Sequence, residues 1–562
     1  MFQLRFVTVG VLALAFMACK DTLVVDNQTD PDRDRALSRP GDVETFIGST
    51  YAQIQNATLG GSNDDLQTQL QVMGMENTSA LANFAMGPRG AVPRRPIDNT
   101  RNGTGSAGNY RDFQVLERAA RMPAMGINAM TRLGTLGSAA VDARAHSFAR
   151  FVQGIAYGNL ALAYDSAALL NDDDAPTAIV PLVGYQEVMA QAYLLLDSAV
   201  TIARANPASF PLPATWIAGH DPAVAATRLD TTAYFQFIRS YKARFRASVG
   251  RTPTERAAAD WNAIIADANA GITADFNIAS NPAAGWDVVW PAQAYATGPA
   301  NWHQMSQFWL GMADSSGGYD AWLNTPAALR EPFLVVTRDR RFPSGTTRAA
   351  QIADTLRPAY RTFTGFPYVR NRQAGEDQPG QPLQISMYDF YRSRAFFVAA
   401  RIGSYPIMTR AEIRLLAAEG YIRTGDVPSA AVRIDSSRTT NGGLPSILAF
   451  ADTVAPLPGG VSCVPRVPDP AAVAGPYKAT KCGNLWDALK WEYRMETMYT
   501  GYGMWYFAAR GWGDLPEGTP LYWPVPNQEM DTRVEAFYPV GGVGKPGGAG
   551  PGNYGLFAGG VF

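Results

Sequence analysis

Pro406 to Thr440 reads PIMTRAEIRLLAAEGYIRTGDVPSAAVRIDSSRTT, and the helical hairpin it encodes sets the architecture expected of the whole chain. Thr409-Arg410-Ala411-Glu412 has the form of a capping box, with Thr409 as the cap and Glu412 reaching back. Ile413, Leu416, Ala417, Gly420 and Tyr421 recur at helical spacing and make a buried face. Gly425 ends that helix, Asp426 caps the next, and Val427, Ala430, Ala431 and Ile434 continue the period. A helix, a Gly-Asp turn and a second helix within about 35 residues match the length of a tetratricopeptide unit. Small residues at Ala417 and Gly420 predict a close approach of the two helices.

The same signature recurs upstream. Phe148, Phe151, Val152, Ile155, Ala156, Leu160 and Ala163 form one stripe, and Val188, Ala192, Leu195, Ala199 and Ile202 form another. Asp230 is positioned to cap a helix through Tyr234, Phe237, Ile238, Tyr241 and Phe245, and a fourth carries Trp261, Ile264, Ile265 and Ala268. Each segment is apolar on one side only, so each must pack against neighbours. The fold class predicted is mainly α: tetratricopeptide-like helical hairpins forming a scaffold, with long irregular loops and a few short strands on the ligand face.

The start of the chain predicts export. Phe6 to Met17 is apolar except for Thr8 and Gly10, follows a single Arg5, and closes with Ala18-Cys19. A membrane span needs about 20 apolar residues, and this run is shorter. Its layout is that of a signal peptide, and Cys19 stands where bacterial lipoproteins are acylated. A plain secretory signal that contains a cysteine is the alternative. The remaining cysteines, Cys463 and Cys482, lie in a Pro-rich stretch with neither CxxC spacing nor a nearby histidine, which argues against zinc. Export permits a disulfide between them, worth roughly 3 kcal/mol for a loop of this size. With 48 basic and 49 acidic residues the net charge is −1, and no basic block is present, so nucleic acid is an unsuitable partner.

Further residues resemble a known family. Tyr405 to Asp426, YPIMTRAEIRLLAAEGYIRTGD, is similar to the AE-x-LL-x-AE-A helix and Gly-Asp turn of SusD/RagB outer-membrane lipoproteins. Trp486 to Met530 resembles that family's closing block, through Glu492, Arg494, Glu496, Gly501, Arg510, Trp512-Gly513 and Pro524-Val525-Pro526 with Glu529. Asp339-Arg340-Arg341-Phe342 resembles its D-x-R-F element, and Asn27 to Pro31 with Phe46 to Tyr51 resemble its N-terminal start. The likeness runs in order along nearly the whole mature chain. Three positions depart from it: Thr500, Gly503 and Tyr506 replace an expected Glu, Arg and Asp, exchanging a charged cluster for an aromatic one.

The resemblance implies a binding role without catalysis or cofactor. Such proteins are lipid-anchored on the outer face of the outer membrane and cap a TonB-dependent transporter of the SusC type. They deliver nutrients to it, most often oligosaccharides and in some members peptides. The regions it implies are a signal peptide (1–18), an N-terminal helical region (19–300), a C-terminal region (301–540) and a Gly-rich tail (541–562). The tail, with Tyr554, Phe557 and Phe562 among its glycines, is expected to be mobile or weakly docked.

Aromatic density points to a ligand face, because sugar rings stack on flat side chains while polar neighbours take their hydroxyls. Trp286, Trp290, Tyr319 and Trp322 are the candidates for an exposed platform, with Asn301 and Asp320 as polar partners. Trp302 and Trp309 share a near-helical spacing with Met305 and Met312 and are assigned to the core. A second candidate is the loop from Phe84 to Tyr110, which carries Arg94, Arg95, Asn99, Arg101 and Asn102. Asp172-Asp173-Asp174 is the densest acidic run, but it sits in a loop without EF-hand spacing, so no metal site is assigned. No GxSxG, HExxH or P-loop pattern occurs. A secreted glycoside hydrolase and a structural surface subunit remain as the alternatives to a binding protein.

Overall fold

The computed structural model describes residues 33–61, 65–79, 86–103, 106–175, 177–289, 303–354, 367–373, 385–472, 479–557 and 559–562. Helices α1 (Pro40–Gly48), α2 (Tyr51–Thr58) and α3 (Leu66–Met73) lead into the long helices α4 (Ser106–Leu133), α5 (Ala139–Ala163) and α6 (Tyr185–Ala205). Ser138 caps α5 by accepting from the Val141 amide. Ser147 of α5 donates to the Ala199 carbonyl of α6, and Gly154 lies against Leu196 and Ala192, so the two helices run antiparallel. A Cβ on Gly154 would sit 2.7 Å from Leu196 Cγ, and one on Gly158 would sit 2.2 Å from the Phe245 ring. These glycines set how closely α5 is approached. Phe148, Phe151, Val152, Ile155 and Leu160 are fully buried, as their spacing predicts.

Helices α7 (Thr231–Ser248) and α8 (Trp261–Asn269) form the next pair, capped by Asp230 and Asp260 through bonds of 2.9 Å to the Ala233 and Ala263 amides. After α9 (Gly318–Asn324) comes the hairpin of α10 (Arg410–Thr424) and α11 (Val427–Thr440). Thr409 caps α10, Gly425 takes the left-handed conformation at φ +86°, and Asp426 caps α11. One detail departs from the sequence reading. Glu412 does not reach back to Thr409; it is buried and accepts two bonds from Arg244 of α7, at 2.6 and 2.7 Å. A carboxylate removed from water is held better by a guanidinium than by one amide. The close approach at Gly420 is likewise to α8: a Cβ there would lie 2.6 Å from Ile265 Cγ1.

The last helices are α12 (Leu485–Thr497), α13 (Met504–Trp512) and α14 (Asn527–Arg533). Strands are short and pair antiparallel, two at a time: β1 (Asn77–Ser79), β2 (Ser166–Ala168), β3 (Leu182–Gly184), β4 (Phe276–Ser280), β5 (His303–Met305), β6 (Val369–Asn371), β7 (Tyr388–Phe390), β8 (Gly403–Met408), β9 (Arg466–Pro468) and β10 (Thr480–Cys482). The pairs are β1 with β5, β2 with β3, β4 with β8, β6 with β7 and β9 with β10. The architecture is mainly helical, and among the described residues no sheet exceeds two strands.

Two apolar cores hold these elements. The first joins α1 to α8 with α10, α11 and parts of α12 and α13. The second gathers Phe308, Trp309, Tyr319 and Trp322 with Tyr388, Trp491, Tyr554 and Phe562. The tail is therefore docked rather than mobile. Tyr554 and Phe562 pack edge-on or tilted against Phe308 at 4.9 and 4.8 Å, and the Gly542 amide donates to the Gly518 carbonyl at 2.7 Å. The burial of two aromatic rings and a backbone pairing outweigh the conformational freedom of the glycines.

Candidate ligand cleft beside the disulfide hairpin

Of the aromatic platform expected between residues 286 and 322, Tyr319 and Trp322 are in the core rather than on the surface. Tyr319 is 1% exposed and Trp322 is 4% exposed, both inside the second core. They lie on α9 with ring centroids 6.0 Å apart, and Arg330 covers Trp322 at 4.3 Å. The density of Gly, Ser and Asn around them suggested a loop, but Gly318 to Asn324 is helical and turns both rings inward. Asp320 is occupied structurally: it accepts the Thr480 amide at 2.6 Å and pins β10 to α9. Trp286 is half-buried, stacked on Tyr51 of α2 at 6.2 Å in a tight turn closed by Asn281. Trp309 is buried, as its spacing predicts. Cys19, Trp290, Asn301 and Trp302 lie outside the described residues.

The second candidate loop is mostly a structural clamp. Arg94 and Asn99 are buried; Arg94 donates to Thr519, and Asn99 donates to the Val525 carbonyl while accepting from the Asn527 amide. Arg101 forms a two-bond pair with Asp531. Of the acidic run, Asp172 pairs with Arg150 of α5 through bonds of 2.9 and 2.6 Å, and Asp174 accepts the Asn171 amide. Among the described residues no group of three His, Cys, Asp or Glu side chains is placed to hold a metal ion.

A cleft of about 430 Å³ opens instead where α10, α12 and α13 meet the β9–β10 hairpin. Trp486, in the first turn of α12, is half-buried against the first core and presents part of its ring to the cleft wall. Trp512, 6% exposed, lies deeper, with Asn484, Asp487, Lys490 and Lys481 along the lining. The expected disulfide between Cys463 and Cys482 is present and ties β10 to the segment before β9. Arg466 reinforces the hairpin by donating to the Thr480 hydroxyl at 2.9 Å.

The cleft is organised around one carboxylate. Glu419 of α10 accepts from Arg256 at 2.9 and 2.6 Å, from Arg423 at 2.9 Å and from the Trp512 indole N–H at 3.0 Å. Burial disfavours its ionisation, yet Arg256 and Arg423 hold it below the ordinary carboxylate range. Arg423, fixed this way, lies over both Trp261 and Trp486, at 4.8 and 4.9 Å. The Trp486 ring therefore has a fixed orientation. Asn484 and Asp487 close a capping box at the start of α12, with bonds of 2.9 and 3.2 Å. Lys490 donates to Asp514 at 2.8 Å. Burial raises the Asp487 carboxyl, and the Asn484 amide and Lys490 oppose that rise. A preset indole with amide, carboxylate and ammonium groups around it suits a ligand with an apolar face and hydroxyls at its edge.

The sequence carried a signal for this cleft. Asn484-x-x-Asp487 is itself a capping pattern, and it places Trp486 in the first turn of a helix, four residues after Cys482. Aromatic density favoured the richer stretch upstream.

No family model and no characterised protein matches this chain by sequence. Its fold is similar to several solved structures. A SusD superfamily protein of Bacteroides vulgatus superposes with a TM-score of 0.50 at 14% identity, covering 88% of this chain and 97% of that one. A SusD-like protein of Bacteroides fragilis gives 0.51 at 13% identity, over 92% and 99%. A SusD superfamily protein of Bacteroides thetaiotaomicron gives 0.51 at 11% identity, over 88% and 98%.

Proposed function

We infer that this chain, whose fold is that of the SusD superfamily, is a surface lipoprotein that binds saccharides and passes them to a TonB-dependent outer-membrane transporter of the SusC type. The likeness of fold over about nine-tenths of the chain is the observation that carries this reading. Cys19 after a short apolar segment supports a lipid anchor. Among the described residues no helix is long and apolar enough to cross a membrane, which is compatible with tethering by lipid.

The Trp486 cleft is the proposed saccharide site. A pyranose stacks its C–H face on the indole, and Asn484, Asp487 and Lys490 take its hydroxyls. No step of bond cleavage is assigned; the groups in the cleft orient a ligand.

The test is a pull-down of the native protein from detergent-solubilised outer membranes. A large TonB-dependent barrel as the main companion supports the reading. Recovery alone, or as a multimer of itself, overturns it and favours a structural surface protein. A panel of neutral oligosaccharides and peptides against wild type and Trp486→Ala then identifies the ligand class.

A further inference from the structure

A second cavity, of about 400 Å³, lies between α4 and α14, with the end of β2 and residues 177–180 along its edge. Tyr110, Gln114, Glu117, Arg118 and Arg121 recur at helical spacing along α4 and line it. The opposite wall is α14, where Arg533 is neutralised by Glu529 at 2.8 Å and also donates to the Val180 carbonyl at 2.7 Å.

The charge balance of this cavity is uneven. Glu117 accepts the Ala168 amide at 3.0 Å, and burial holds its carboxyl in the protonated form up to about pH 7. Glu529 across the cavity reinforces that rise, while Arg121 and Arg533 oppose it; Tyr157 of α5 also faces this carboxyl. Arg121 makes one long bond, 3.3 Å, to the Ala175 carbonyl. Arg118 is exposed and makes no hydrogen bond or ion pair to another described residue. Three guanidinium groups thus meet two carboxyls in this cavity: Arg533 is paired with Glu529, Arg121 shares the field of Glu117, and Arg118, one helical turn from Arg121, is left over.

We propose that this cavity binds a uronic acid residue of an acidic saccharide, with Arg118 and Arg121 on its carboxylate and Tyr110, Gln114 and Glu117 on its ring and hydroxyls. A planar guanidinium matches a carboxylate through two parallel N–H bonds. The rest of the lining joins Tyr110 and Gln114 to the apolar Phe113, Leu170 and Ile179, a mixture that suits a ring with an apolar face and hydroxyls at its edge, and the volume is that of a small-ligand site. The saccharide part of this assignment rests on the function proposed above; the preference for a carboxylate rests on the arginines alone. Lowering the pH protonates Glu117 and removes its repulsion from the ligand, while the uronate stays ionised well below that pH. Affinity therefore rises as pH falls.

Calorimetry on the purified protein tests this with short oligomers of galacturonate, glucuronate and mannuronate beside their neutral counterparts. Wild type binds at least one uronate oligomer about ten-fold more tightly than its neutral counterpart. Arg118→Gln with Arg121→Gln lowers uronate affinity to that of the neutral counterpart. Between pH 8 and pH 6 uronate affinity rises several-fold, and Glu117→Gln abolishes the rise. Equal binding of charged and neutral oligomers by wild type, or a preference that survives in the double variant, overturns the assignment. Neutral binding with a transporter companion but no uronate preference sinks this inference alone. Uronate preference without a transporter companion sinks only the uptake role.

Discussion

Arg341 donates to both carboxylate oxygens of Glu492, at 2.7 and 3.0 Å, across 151 residues of chain. Both side chains are fully buried. Asp339 and Glu496 complete the guanidinium's shell at 2.7 and 3.3 Å, and the Trp491 indole donates to Asp339 at 3.0 Å. Burial works against the Arg341 charge, but Asp339 and Glu492 prevail and raise its pKa well above the ordinary value. The network locks the segment before the second core onto α12, which also carries the Trp486 cleft.

Removing Arg341 leaves buried carboxylates without a counter-charge. Arg341→Met is therefore expected to cost about 3–5 kcal/mol, a large part of the stability of an ordinary domain. Urea unfolding followed by tryptophan fluorescence measures this. A loss below about 1 kcal/mol would mean that water or neighbouring cations replace the guanidinium.

Glu76 predicts how stability varies with pH. Burial pushes its carboxyl up to about 8, opposed by the bond it accepts from the Tyr499 amide. An unfolded chain releases that proton near 4.5, so the folded state binds the extra proton between these values. Stability attributable to Glu76 is full below about pH 4.5 and is lost as pH rises through about 8. Glu76→Gln is expected to remove this dependence and to be more stable than wild type at pH 9 by a few kcal/mol. The difference between the two proteins' urea midpoints from pH 5 to pH 9 checks it, and a constant difference contradicts it.

Much of the scaffold was legible because its signals are local. Thr409, Gly425, Asp426 and Asp230 each mark a helix end through bonds to backbone within a few residues, and the buried stripes of α5 to α8 follow from a period of 3.6. Asp339, Arg341, Glu492 and Glu496 were picked out by their resemblance to a family pattern, although their meeting in space is not a local property. What escaped depends on three-dimensional neighbours. Glu412 looked like a capping residue because Arg244, its partner, is 168 residues distant in sequence. Tyr319 and Trp322 looked exposed because glycine and serine surround them, while the core that receives them includes Tyr554 and Phe562 from the tail. The replacement of charge by Tyr506 reads the same way: its hydroxyl donates to the Pro520 carbonyl at 2.6 Å and Arg510 lies 5.6 Å from its ring.

The disulfide offers a third prediction. Cys463 and Cys482 are separated by 19 positions, and closing such a loop restricts the unfolded chain by roughly 3 kcal/mol. Cys463→Ser with Cys482→Ser is expected to lose up to about that much stability. The same change loosens the hairpin at the cleft edge, so saccharide affinity falls even at temperatures where the protein stays folded. Unfolding and calorimetry on one preparation separate the effects. Unchanged affinity in a folded double variant would detach the hairpin from the site.

Trp486 and Trp322 make the sharpest contrast between a binding ring and a core ring. Trp322 is 4% exposed and covered by Arg330, so Trp322→Ala opens a cavity and costs about 3–5 kcal/mol. Trp486 is half-buried, with part of its ring and its contact to Arg423 at the wall of the cleft. Trp486→Ala is expected to cost about 1 kcal/mol of stability while weakening saccharide binding about ten-fold, because it removes the flat apolar face on which the C–H face of the sugar packs. Denaturant unfolding and binding isotherms for both variants give four values. A Trp486→Ala protein that binds normally, beside a folded Trp322→Ala protein that does not, would move the ligand site back to the stretch between residues 286 and 322.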